Sequence, residues 1–298
     1  MTTASRRFVS RSELDTLCAD RLASSRLAGL YAAGSIECLA APTVAIVGSR
    51  APSDAGRRLA HRLAAELGAA GVCVISGLAL GIDGAAHAGS LAAGAPTIGV
   101  LGGGHDHFFP ARNRELAARM IAGGGAVVSP YAPDIPARPH QFLARNGVVA
   151  ALADALVVVE AAGRSGALNT ASWAADRSIP VMAFPGDVDR PKVAGCLALI
   201  RDGAVLVRGA ADVLAGLGLA FGRSPPPEPV PKPDSELGRR IVQRLAQGPA
   251  GIDALLLDGR DAAALPAALL LACIGELLVS GAIVETDDGT LRLSGACR

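Results

Sequence analysis

A chain of 298 residues, half of them hydrophobic, holds enough apolar content for one large core and a smaller one. The formal net charge of +1 neither demands nor excludes a nucleic-acid partner. Basic residues exceed acidic ones by 15 to 12 from Thr43 to Arg208 and fall short by 6 to 8 from Ser235 onward, so a polyanion site belongs in the first region. Lys192 and Lys232 are the only lysines, which makes the positive charge almost entirely guanidinium. That planar group suits phosphates and carboxylates, although a compositional bias gives the same excess.

Cysteines at 18, 38, 73, 196, 273 and 297 never approach a C-x-x-C spacing, so they read as reduced packing thiols in a cytoplasmic protein. Met1 to Arg11 is polar and basic, without the apolar core of a secretory segment. The longest apolar stretch, Ala262 to Gly275, contains Pro266 and is too short to span a bilayer.

Before Pro42, a weakly amphipathic run from Ser12 to Leu30, with Ser12 as cap and Asp15 three residues on, predicts a short helical segment over residues 1–42. Short apolar runs then alternate with helical patterns. Strands are expected at Thr43–Val47, Val72–Ser76, Thr97–Leu101, Ala126–Ser129, Ala155–Glu160, Val181–Phe184 and Ala204–Val207. Repeated βαβ units of this kind predict an α/β, doubly wound, mostly parallel sheet over residues 43–220, with every strand-to-helix turn on one rim. The proline-rich stretch Ser224–Pro233 marks a linker over 221–234. Residues 235–298 read as three helices and a hairpin with an Asp-Gly turn, the plan of a small winged-helix-like domain. The third of those helices carries Glu276 and no Lys or Arg, which points to a partner surface rather than DNA reading.

The rim turns carry the chemistry. Gly48-Ser49-Arg50 follows the first strand, at the position where ligands meet such sheets, but it lacks G-x-G-x-x-G, and Ser76 replaces the acidic residue that would hold a ribose. Both departures argue against an NAD dehydrogenase. Glycines 77, 81 and 84 in Ser76–His87 would let backbone amides face an anion at a helix start. Asp83 and His87, four residues apart, fit either a base with its orienter or a capping Asp with a structural His.

Gly102–Gly104 precede His105-Asp106-His107, for which no partner set at metal-site spacing exists, and then Arg112-Asn113-Arg114. Phe142 between arginines, in Arg138–Asn146, is either a base-stacking ring or the inward-packing start of a helix. After the fifth strand, Arg164-Ser165-Gly166 opens another helix. Arg50, Arg145 and Arg164 on one rim form a constellation suited to phosphodiester or nucleotide binding.

Taken together, Val-Gly-Ser-Arg (47–50), Ser-Gly-Leu-Ala-x-Gly-Ile-Asp-x-x-Ala-His (76–87), Gly-Gly-Gly-x-Asp-x-x-x-Pro-x-x-Asn (102–113), Phe-x-x-Arg-Asn (142–146), Val-Val-Glu-Ala (158–161), Arg-Ser-Gly (164–166) and Pro-Gly (185–186) resemble the DNA-processing protein A (DprA/Smf) family. The resemblance implies an extended Rossmann domain that binds single-stranded DNA, forms a homodimer and helps load a RecA-type recombinase in natural transformation. It implies no catalysis, cofactor or metal. Carried over by position, Gly48, Ser49, Arg50, Gly77, Arg112, Phe142, Arg145, Asn146, Arg164, Ser165, Gly166 and Thr170 would contact DNA.

This chain departs from the family pattern at Gly147, where a second arginine is usual, at Pro130 in place of Glu, at Ala167 in place of Ser, and at Cys196-Leu197 in place of an Asn after Gly195. One lost charge on the rim is expected to lower the salt slope of DNA binding by about one counterion. The competing reading is a small-nucleotide enzyme like the lysine-decarboxylase-like phosphoribohydrolases. Their Pro-Gly-Gly-x-Gly-Thr-x-x-Glu turn is matched here by residues 163–170, which contain no Glu.

Overall fold

The computed structural model describes residues 6–23, 25–219, 235–257, 267–279, 282–286 and 289–293. They form two units, 1–222 and 223–298. The proline-rich linker lies outside the described residues.

The N-terminal segment corrects the expectation of helix alone. It contributes β1 (Arg6–Ser10), α1 (Arg11–Leu22) and β2 (Gly29–Gly34), and both strands join the main sheet. The helix is capped two residues earlier than the sequence pattern indicates. Ser10 accepts from the Glu13 amide while the Glu13 carboxylate accepts from the Ser10 amide. Leu14, Leu22 and Leu30 are fully buried against the sheet, and Arg21 ties α1 to it through Thr43 Oγ1 at 2.7 Å and Asp154 at 3.2 Å.

The rest of the unit alternates strand and helix: β3 (Thr43–Val47), α2 (Asp54–Ala69), β4 (Cys73–Ser76), α3 (Ile82–Ala92), β5 (Thr97–Val100), α4 (Arg114–Ala122) and β6 (Ala126–Ser129). It continues with α5 (Pro139–Ala151), β7 (Ala155–Val158), α6 (Gly166–Ala175), β8 (Val181–Ala183), α7 (Ala194–Arg201), β9 (Val205–Leu206) and α8 (Ala210–Gly216). All seven expected strands are present, trimmed by up to two residues. The sheet has nine strands in the order β1-β2-β6-β5-β4-β3-β7-β8-β9, antiparallel at β1–β2 and β2–β6 and parallel elsewhere.

Strand periodicity sends alternate side chains to opposite faces, and in the central strands β3 to β7 both faces are covered, which is why those strands are mostly apolar. In β3, Val44 and Ile46 join the core under α2, α3 and α8, while Ala45 and Val47 join the core under α1, α5, α6 and α7. In β7, Ala155 and Val157 go one way, Leu156 and Val158 the other. A third cluster, with Met120, Leu78 and Val127, seats α4.

The order of the strands determines where a ligand fits. From β3 the chain lays down β4, β5 and β6 on one side, then crosses to put β7 on the other side, in register Val44–Ala155 to Val47–Val158. The connections leaving β3 and β7 therefore diverge and open a crevice at the carboxyl ends of those two strands.

The second unit has α9 (Glu236–Leu245), α10 (Ile252–Leu257), α11 (Ala267–Val279), β10 (Ile283–Glu285) and β11 (Leu291–Leu293), the two strands antiparallel. Ile241, Leu245, Cys273, Ile274, Leu277, Ile283 and Leu291 form its core. Gly289, at φ +78°, supplies the backbone conformation that the hairpin turn requires. Asp287 and Asp288 of that turn lie outside the described residues.

Candidate functional site

Two glycine turns border the crevice, and they differ in what their backbones do. At the end of β4, Leu78 sits in the left-handed region at φ +54°, a costly conformation for a leucine. It turns the amides of Gly77 and Ala79 onto one Asp83 carboxylate oxygen, at 3.1 and 3.3 Å. The Ile82 amide donates to Ser49 O, the Gly84 amide to Ala79 O, and the Asn113 side-chain amide to Leu78 O and Ala79 O. Of the amides expected here to face an anion, those of Gly77 and Gly84 are therefore occupied within the protein.

Arg145 departs from its expected place on the open rim. It is 3 % exposed and lies in the floor of the crevice, donating through one nitrogen to Val100 O at 2.5 Å and to Gly77 O. Burial pushes its pKa down to about 10, against the pull of Asp83, so it stays cationic at neutral pH. Burial also raises the Asp83 pKa, and Arg145 and then the two amides oppose that rise. Gly77 is required for this arrangement, because a Cβ there would stand 2.7 Å from the guanidinium carbon and 2.8 Å from the carboxylate. Gly48 likewise admits Ile82 and Glu160 O, at 2.7 and 2.8 Å from where its Cβ would be.

The turn after β7 is open. Ser165 caps α6 by accepting from the Ala167 amide at 3.1 Å, and no atom lies within 4 Å of a Cβ built on Gly163 or Gly166. Arg164 is exposed above it, and Arg50 is exposed across the crevice. Neither has a hydrogen-bonded or ionic partner among the described residues. Arg50 does lie 5.9 Å from the centre of the Phe142 ring, and Arg145 lies 6.0 Å from it. Phe142 fills the space over Gly102, as its inward-packing reading requires, and is partly exposed.

Asn146 reaches Asn169 at 3.1 Å, and the buried Thr170 hydroxyl donates to Gly166 O. The crevice has a volume of about 470 Å³, bounded by Ser49, Arg50, Asn146, Arg164, Gly166 and Thr170. Of the expected residues, two fall outside it: Arg112 lies in a neighbouring groove and Phe142 lies beside Arg50 without lining the crevice.

The histidines and the glutamate near the strand ends are held by hydrogen bonds within the protein. The Thr97 hydroxyl donates to Val74 O at 2.6 Å and so accepts from His87 Nδ1–H at 2.8 Å, which fixes the tautomer. Burial drives the His87 pKa down to about 3. His105 donates through Nε2 to Val127 O at 2.9 Å. Glu160 is 4 % exposed and accepts from the Ser53 amide at 2.8 Å, the Ser53 hydroxyl at 2.5 Å and Arg190 at 3.1 Å. No cluster of three metal-ligating side chains occurs among the described residues.

Sequence reasoning passed over two features of this surface. Phe109 is 57 % exposed and meets Phe142 edge-on at 5.8 Å, extending the aromatic surface. Arg57, Arg58, His61 and Arg62 on α2 line the neighbouring groove, and their spacing on one helical face was visible in the sequence.

The profile of the family described as DNA recombination-mediator protein A matches residues 21–218. The chain belongs to that family. A Mycobacterium tuberculosis relative, described as a DNA processing protein DprA, is 40% identical over 253 residues, 84% of this chain and 64% of that protein. Protein Smf of Escherichia coli K12 is 34% identical over 272 residues, 90% of this chain and 72% of its own length. The chain thus spans about two-thirds of the length of these relatives. Among solved structures, DNA processing protein A of Streptococcus pneumoniae matches with a TM-score of 0.65 and 36% identity, over 71% of this chain and 74% of that one. The Helicobacter pylori protein, whose structure concerns its single-stranded DNA binding, matches with a TM-score of 0.62 and 27% identity, over 72% and 95%.

Family membership puts the departures in structural terms. Gly147 packs against Trp173, whose ring atoms lie 3.2 and 3.3 Å from where a Cβ would stand, so an arginine there would have to displace the indole. Ala167 is 5 % exposed and belongs to the core under α6, so the hydroxyl missing there subtracts little from the open rim.

Proposed function

We propose that the α/β unit binds single-stranded DNA in the crevice between the ends of β3 and β7, largely independently of sequence. The chain then acts as a recombination mediator that protects incoming DNA and helps load a RecA-type recombinase in natural transformation. The observation that carries this reading is that Arg50 and Arg164, exposed and without a hydrogen-bonded or ionic partner among the described residues, line one crevice at the open start of α6, with Phe142 beside Arg50. Arginines and a free helix start suit phosphates, and an exposed ring suits a base of any identity. The single-stranded DNA binding of the Helicobacter pylori protein supports the choice of ligand.

The recombinase and the homodimer formed through the Rossmann domain rest on the family alone, and the cytoplasmic setting rests on the cysteine spacing. No described helix is long and apolar enough to cross a membrane. The winged-helix-like unit is assigned to a partner surface, in keeping with the absence of Lys and Arg from α11.

Catalysis has no part in this reading. Asp83 and Glu160, the carboxylates at the strand ends, use their oxygens on Gly77, Ala79, Ser53 and Arg190. The test is a fluorescence-polarisation titration of an oligothymidine at several salt concentrations. Arg50→Ala is expected to weaken binding by about tenfold and to flatten the salt slope by about 0.7, without altering the melting temperature. Unchanged affinity, or release of free base from nucleoside monophosphates, contradicts the proposal.

A further inference from the structure

A second concave surface adjoins the crevice and shares Arg50 with it. It is a groove of about 840 Å³ between α2 and the start of α4, with α3 as its floor. Arg57, Arg58, His61 and Arg62 line one wall, Arg112 the other, and Arg50 stands at the junction. No carboxylate lines it. Among these arginines, the ion pair found within the described residues is Arg62 with Glu66, at 3.9 Å.

Three properties of the groove point to one ligand chemistry. Its charge is of a single sign, although Arg58 and Arg62 stand four residues apart on one helix, where like charges are mutually destabilising. Its floor is made of Gly81, Gly84, Ala85 and Ala88, small residues that leave room for a chain to lie close against α3. It contains no Phe, Tyr or Trp, unlike the neighbourhood of Phe142, and His61 supplies the one ring among the residues that line it, so it offers mainly charge and little stacking surface. A phosphodiester backbone whose bases face outward fits all three.

We infer that this groove is the continuation of the DNA path. A strand anchored by a base and phosphate in the crevice passes Arg50 and lays its backbone between Arg58 and Arg62 on one side and Arg112 on the other. The inference rests on the reading of the crevice as a single-stranded DNA site. It adds the direction of the strand and a length dependence that the crevice alone does not produce. It also gives the α2 arginines a function: they extend the site without adding sequence preference.

The experiment compares two oligothymidines on the full chain, one just long enough to fill the crevice and one several times longer, by fluorescence polarisation across salt. Arg58→Ala/Arg62→Ala is expected to leave the short oligonucleotide's affinity unchanged. The same variant should weaken the long one by about tenfold and flatten its salt slope by about 1.4, roughly 0.7 per charge. Arg112→Ala, on the opposite wall, is expected to give a length-dependent loss of the same kind and covers the case in which the α2 variant folds poorly. Equal affinities of wild type and both variants for the long strand, with Arg50→Ala still weakening the short one, overturn the groove and leave the crevice standing. Absence of binding at either length in the wild-type chain overturns both.

Discussion

The turns after β4 and after β7 look alike in the sequence, each with glycines, a serine and a following helix, yet the structure uses them in opposite ways. The β4 turn is closed on itself: Asp83 takes the amides of Gly77 and Ala79, Asn113 takes the carbonyls of Leu78 and Ala79, and Arg145 takes Gly77 O and Val100 O. The β7 turn spends the Ala167 and Leu168 amides on Ser165, leaves open space at Gly163 and Gly166, and holds Arg164 exposed. A glycine at a helix start is thus a ligand site only where nothing inside the protein has claimed its amides. Under the proposed function, the closed turn provides a wall and the open one the contact surface for DNA.

This contrast is sharpest in a pair of matched substitutions. Gly77→Ala places a methyl against Arg145 and Asp83 and is expected to destabilise the unit by about 3 kcal/mol or more, measured by denaturant unfolding. A wild-type midpoint for that variant would break the comparison, because the turn would then have slack.

The closed wall also has a pH signature through His87, which is fully buried and refuses its proton until about 3, whereas the unfolded chain accepts one near 6.5. Between those values the unfolded state binds more protons. Stability is therefore expected to fall as pH drops through that window, by on the order of a few kcal/mol, and to be flat on this account above it. His87→Asn should flatten that slope in unfolding curves taken across the window. An unchanged slope would assign the acid sensitivity elsewhere.

The smallest expected effect on the fold belongs to Gly166→Ala, which meets open space and should shift stability by no more than about 0.5 kcal/mol while weakening oligothymidine binding. Weakened folding with intact binding would reverse the roles of the two turns.

The seven parallel-sheet strands were legible as short apolar runs, most of them covered on both faces, and the motifs at 47–50, 76–87, 142–146 and 164–166 lie at the strand ends, whereas the order of the strands was not legible. Other features were not legible either. β1 (Arg6–Ser10) reads as polar because it sits at the sheet edge, with Arg6, Arg7 and Phe8 exposed, and its pairing with β2 depends on partners far along the chain. Arg145 could be placed on the correct helix, but its burial could not be read from the chain. That depends on Gly77 being small and on two carbonyls brought from β4 and β5. Arg112 shows the same limit, since its spacing placed it near the rim but only the packing of α4 against α3 sends it into the groove beside Arg50.

The central claim is that DNA enters at the open turn rather than the closed one. A crystal structure of the full chain with a short oligothymidine tests it most directly. The account predicts a phosphate between Arg50 and Arg164 near the Gly166 amide, with a base against Phe142. An oligonucleotide bound elsewhere on the molecule, with the crevice empty, would contradict it.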